Sequence, residues 1–439
     1  MFKYRLPKTA TAPFCPSQIH STVAVPPGAS TWLRFKRYSG IGLLISVGYM
    51  DPGNWATDLE AGSTFGYGLL FVVLLSSLVA MVLQTLCVRL GVATGKDLAA
   101  CCRERFPPAL NSALWLAAEV AIIACDIAEV LGTALALKLL LGLPLGIGIL
   151  LTALDTVIVL VLQGKGVLTV EAIVTGLVGT IAAAFFIEIL LSQPVWGDVV
   201  KGLVPDAQLL LNHESMFIAI GILGATVMPH NLYLHSSAVG TRTIAHTDSA
   251  KSDAIMLMNA DVLLSLTLAF FINAAILVLA SSAFHMSGFT NITDIGDAHT
   301  LLKPLLGTAA PILFALALLA SGQSSTLTGT IAGQVILEGF LDLHIPCWQR
   351  RLITRTLAII PAWIGVMMLG DGGLSQLLVL SQIILSMQLP FAVVPLILFC
   401  SNREMMQQWK LSCLMQIVCW GIAASIILAN GILLYQTFF

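Results

Sequence analysis

Long stretches of this chain contain no Asp, Glu, Lys or Arg, and that absence constrains the fold more than any motif does. A helix crosses a bilayer with about 20 apolar residues, whereas a membrane barrel strand alternates over about 10. The blocks here are long and do not alternate, so they read as spanning helices. Composition agrees: the 439 residues are 57% hydrophobic and 10% charged, against roughly 25% charged in a soluble domain. Such a chain cannot cover a water-facing surface of ordinary polarity. An ordinary soluble enzyme, a disordered protein and a nucleic-acid binder are excluded, the last also by a net charge of only −2.

Eleven spans are predicted, near 39–57, 66–90, 112–139, 144–163, 169–192, 215–240, 256–283, 301–338, 351–370, 373–400 and 411–436. Residues 1–38 form a polar, basic tail. Basic residues sort by side. Arg34, Lys96, Arg103, Arg242, Lys251, Arg350 and Arg403 fall with the N-terminus, whereas the opposite loops hold Lys138, Lys201 and Lys303. The positive-inside rule puts the N-terminus in the cytoplasm and the C-terminus outside. Nine scattered cysteines without a CxxC pair give neither a disulfide framework nor a zinc site.

Two spans are interrupted by proline. The first reads Gly48-Tyr49-Met50-Asp51-Pro52-Gly53-Asn54-Trp55, the sixth Ala225-Thr226-Val227-Met228-Pro229-His230-Asn231. Proline removes a donor and glycine loosens the backbone, so both helices should break mid-membrane. Freed carbonyls are tolerated only inside protein or beside a cavity. Paired breaks in spans 1 and 6 suggest two five-helix halves of opposite topology, 39–192 and 215–400, with 411–436 additional. They point to a transporter's midplane site. Asp51 offers a hard carboxylate, Asn54 a neutral oxygen and Met228 a soft thioether, with the carbonyls of Gly48 and Ala225 nearby. That mixture suits a divalent transition metal better than magnesium or calcium. Gln382 in span 10 offers a further amide.

Span 3 carries Glu119, Asp126 and Glu129 along one helical face. An acidic stripe at membrane depth reads either as a proton relay or as a structural stripe paired with Arg350 and Arg351. His230 is a candidate proton acceptor or modulator. His235 lies about 140° further round the helix and should face elsewhere. The small and hydroxylated run Ser321 to Gly333 in span 8 reads as a packing seam.

The runs DPGNWATD from Asp51 and MPHNLYLHS from Met228 resemble the Nramp family, the natural resistance-associated macrophage proteins. So do Asp126-Ile127-Ala128-Glu129, Gly322 to Gly333, Arg350 to Arg355 and Ser381-Gln382. The resemblance implies a LeuT-type fold with inverted five-helix repeats and an eleventh helix outside them. It implies proton-driven import of Mn2+ and Fe2+, with Co2+ and Cd2+ admitted by the same donors. It further implies Asp51, Asn54, Met228 and the Ala225 carbonyl as ligands, Gln382 joining on closure. Gly48 stands where many relatives have alanine. For protons it implies Asp51, His230, Asp126 and Glu129, with Glu119, Arg350 and Arg351 extending the route. Bacterial inner membrane, a monomer and no resident cofactor are the accompanying expectations. The alternative is proton-coupled transport of a small organic solute, such as an amino acid, on the same architecture. No selectivity-filter repeat or HExxH pattern supports a channel or a metalloenzyme.

Overall fold

The computed structural model describes residues 20–26, 28–154, 167–290, 292–343, 346–370 and 373–438. Among them, nine helical stretches are long and apolar enough to cross a membrane, and one of these, Pro52–Thr94, joins the second half of span 1 to span 2. Span 1 comprises Ile41–Ser46, a tight turn over Val47–Tyr49, and Pro52–Phe65. It therefore runs beyond the expected end at 57, because Gly66 (φ 59°) and not the proline ends it. Span 2 is Leu70–Thr94, span 3 Pro108–Leu141 and span 5 Val167–Ser192. Span 4 is described only over Leu145–Leu151, and residues 155–163 lie outside the described residues. Span 6 comprises His213–Thr226 and Pro229–Ala238; spans 7 to 11 are Asp248–Ala283, Ala310–Leu341, Cys347–Leu369, Gly373–Ser401 and Cys413–Phe438.

Two expectations need correction. The predicted span 301–338 is two helices, Ile295–Leu306 and Ala310–Leu341, separated at Gly307 with φ 95°. The apolar run misled because it continues through the turn, and the backbone reversal is carried by one glycine. Span 7 begins at Asp248, eight residues before the predicted start at 256, because Thr247 caps the Ala250 amide.

Residues 1–19 of the expected tail lie outside the described residues, but its later part is ordered. Val23 pairs by backbone with the segment after span 6: Val23 N donates to Thr241 O at 3.0 Å, and Thr243 N donates to Val23 O at 2.9 Å. Ser30 caps a short helix, Thr31–Tyr38, whose Arg34 meets Asp253 of span 7.

Packing sets the site in the middle. Span 3 lies along span 8 and against spans 9 and 10, span 7 packs on spans 1 and 2, and span 5 runs along span 8. Span 11 sits at the edge against span 10, tied by Asn430 Nδ2 donating to Ser386 O at 2.7 Å. The seam between spans 3 and 8 is as tight as its small residues suggest. A Cβ at Gly322 would lie 2.4 Å from Thr133 Oγ1, and one at Gly329 2.9 Å from Glu129 Oε1.

Candidate metal centre at the paired helix breaks

Each break begins with a missing donor. In an α-helix the carbonyl of residue i accepts from the amide of residue i+4. Residues 52 and 229 are prolines, so the carbonyls of Gly48 and Ala225 have no helical partner. The two interrupted spans thus present the same feature at matching places.

In span 1, neighbouring helices answer the other freed carbonyls. Asn273 Nδ2 of span 7 donates to Tyr49 O at 2.7 Å, and Ser321 Oγ of span 8 donates to Met50 O at 2.5 Å. Asp51 then caps the second half of the span. Its Oδ1 accepts from Asn54 N and Asn54 Nδ2, both at 2.9 Å. Its Oδ2 is buried and has no hydrogen-bond partner among the described residues. A buried carboxylate with one oxygen engaged by donors and the other free of protein donors is suited to a cation.

Met228 occupies the corresponding cap of span 6, ahead of Pro229. Asp51, Ala225 and Met228 are completely buried, Asn54 and Gln382 nearly so, and Gly48 is buried. Gln382 reaches from span 10 to the first break: a Cβ on Gly53 would lie 1.9 Å from its Nε2. Its Nε2 donates to Ser381 Oγ at 3.1 Å, and its Oε1 has no partner. Pro52 touches span 3 closely enough that a Cβ on Gly132 would lie 2.1 Å from its Cγ.

Span 3 carries the acidic residues away from this centre. Glu119 is held by Arg350, whose Nη2 approaches both carboxylate oxygens, at 2.6 and 2.5 Å, and by Trp115 Nε1 at 3.0 Å. Glu129 faces Arg355 Nη1 at 4.0 Å. Asp126 shares its side, since both it and Glu129 approach Gly329 of span 8. Arg351 is buried in the same turn of span 9 as Arg350.

The sequence reading missed four participants. Cys125 joins the two groups: its Sγ lies 3.6 Å from Glu129 Oε1 and 3.8 Å from His230 Nε2. Arg355, which follows the two expected arginines by one turn, is a cation beside Glu129. Gln84 links Tyr49 and His235, with Nε2 2.6 Å from the tyrosine hydroxyl and Oε1 2.7 Å from His235 Nδ1. The two histidines therefore face different neighbours, as their spacing requires. Asn231 lies against Gly48. Cys125 meets His230, Arg355 meets Glu129, Gln84 meets Tyr49 and His235, and Asn231 meets Gly48 across helices, and no local pattern marks such contacts.

Two broken helices meeting at a buried polar centre mark the architecture of secondary transporters. The profile of the natural resistance-associated macrophage protein-like family matches residues 42–436. The chain belongs to that family. It is 56% identical over 432 residues to a divalent metal cation transporter MntH of Ralstonia nicotianae, covering 98% of each chain. The crystal structure of an Eremococcus coleocola manganese transporter mutant superposes with a TM-score of 0.89 at 38% identity, covering 94% of this chain and 89% of that one. A nucleobase-cation-symport-1 family transporter shares the LeuT-type fold alone, with a TM-score of 0.62 at 11% identity over 98% of this chain and 92% of that one.

Proposed function

We propose that the chain is a proton-coupled importer of divalent transition metal ions, chiefly Mn2+ and also Fe2+. It works by alternating access around a site at the two helix breaks. The observation that supports this reading is the buried Oδ2 of Asp51, without a hydrogen-bond partner among the described residues, at a break whose proline frees the Gly48 carbonyl. The ligands are Asp51, Asn54, Met228 and the Ala225 carbonyl, with Gln382 and the Gly48 carbonyl closing the shell. One carboxylate among neutral oxygens leaves the ion able to depart. The thioether favours transition metals over magnesium and calcium and admits Co2+ and Cd2+ as well. The names of the relatives, divalent metal cation and manganese transporters, support the choice of cargo.

Protons take a separate course. They leave Asp51 and His230 through Asp126 and Glu129, and Glu119 with Arg350 and Arg351 extends the route. The contacts of Cys125 with His230 and Glu129 support that line. The chain acts as a monomer in a bacterial inner membrane, with its N-terminus and the ends of spans 2, 6 and 8 cytoplasmic. The organic-solute reading is weaker, because the helix N-terminus that would hold a substrate carboxylate is already capped by Asp51.

Uptake of Mn2+ into proteoliposomes with an interior pH dye tests this. Metal entry with interior acidification, unaffected by excess Mg2+, is expected. Metal entry without acidification would reduce the stripe to structure, and no entry from folded protein would reject the metal reading.

A further inference from the structure

One buried polar side chain at the second break belongs neither to that ligand set nor to the acidic stripe. Asn231 is completely buried, and among the described residues neither its Oδ1 nor its Nδ2 has a hydrogen-bond partner. An amide left unpaired at both ends in a dry interior is unfavourable, and a native structure that keeps one calls for a reason.

Its position supplies the reason. Asn231 is three residues beyond Met228, in the first turn of the second half of span 6. Its amide abuts the first half of span 1 at Gly48. A Cβ on Gly48 would lie 2.2 Å from Nδ2 and 2.9 Å from Oδ1. Any larger residue at 48 therefore displaces the amide. The Gly48 carbonyl, stripped of its helical partner by Pro52, belongs to the same turn. Gly48 and Asn231 thus stand where the start of span 1 meets the second half of span 6.

We propose that Asn231 is a further ligand of the transported cation, meeting it on the cytoplasmic side of the breaks, and that Gly48 is glycine to admit its amide. The amide oxygen is a neutral hard donor of the kind Asn54 provides. It holds a divalent ion without the charge that would prevent release. The inference deepens the metal-import reading and rests on it.

The test uses the full chain in proteoliposomes, with Mn2+ as the probe. Asn231→Ala should raise the KM for Mn2+ uptake about tenfold, equivalent to about 1.4 kcal/mol. Gly48→Ala should do the same by pushing the amide aside. The double variant should be no worse than either single one, because both remove one contact. Asn231→Asp, which keeps the size and supplies oxygen, should bind Mn2+ at least as tightly as the unaltered chain. It serves also if Asn231→Ala fails to fold. An unchanged KM in Asn231→Ala, multiplicative effects in the double variant, or weakened binding in Asn231→Asp would each overturn the assignment. Asp51→Ala separates the two levels: if it still transports Mn2+ normally, the import reading itself fails, whereas its loss beside an unaffected Asn231→Ala condemns only the present inference.

Discussion

Single glycines decide how closely the helices meet at the site, and two of them make opposite predictions. A methyl group at Gly53 meets the free end of Gln382, which can swing away. Gly53→Ala should therefore leave the thermal midpoint nearly unchanged and lower Mn2+ uptake, with Gln382→Ala adding little more. A methyl group at Gly132 meets the rigid ring of Pro52. Gly132→Ala should destabilise by about 1–3 kcal/mol, the usual cost of overpacking, seen as a lower midpoint in thermal unfolding. Cys125 gives a third prediction. Serine keeps a donor and acceptor between His230 and Glu129, whereas valine keeps only volume. Cys125→Val should admit fewer protons per Mn2+ than Cys125→Ser, read from the pH dye and metal uptake together; equal ratios would remove the thiol from the proton route.

At the scale of elements, the break in span 1 persists because other helices sustain it. Asn273 and Ser321 hold the carbonyls of Tyr49 and Met50. Asn273→Ala and Ser321→Ala should each cost about 1–3 kcal/mol, the penalty of a buried group left unpaired, measured as a loss of thermal stability in detergent. The breaks themselves were legible in sequence, since Pro52 and Pro229 act on their own helices. Their supports were not. Asn273 and Ser321 lie more than two hundred residues from the carbonyls they serve, and nothing local distinguishes a bonding asparagine from a lipid-facing one. The same limit explains Arg355. The pair Arg350-Arg351 stands out to the eye, but helix rotation decides which arginine reaches Glu129. The acidic stripe was visible because its own periodicity defines it.

Across the whole molecule, the span pattern carried most of the architecture, and it failed where hydropathy stays high through a turn, as at Gly307. The orientation remains a prediction of charge. A protease added outside intact spheroplasts should remove a tag placed after Phe439 and spare one placed before Met1; the reverse would invert the topology. The long-range supports of span 1 also bear on how the protein is made. Synthesis proceeds from the N-terminus at about 5–20 residues per second. The first helix therefore reaches the membrane well before Asn273 and Ser321 exist. Until then its carbonyls at Tyr49 and Met50 lack the partners they have in the finished fold. Span 1 is thus a helix that cannot settle when it is born. Its break is completed only when spans 7 and 8 arrive.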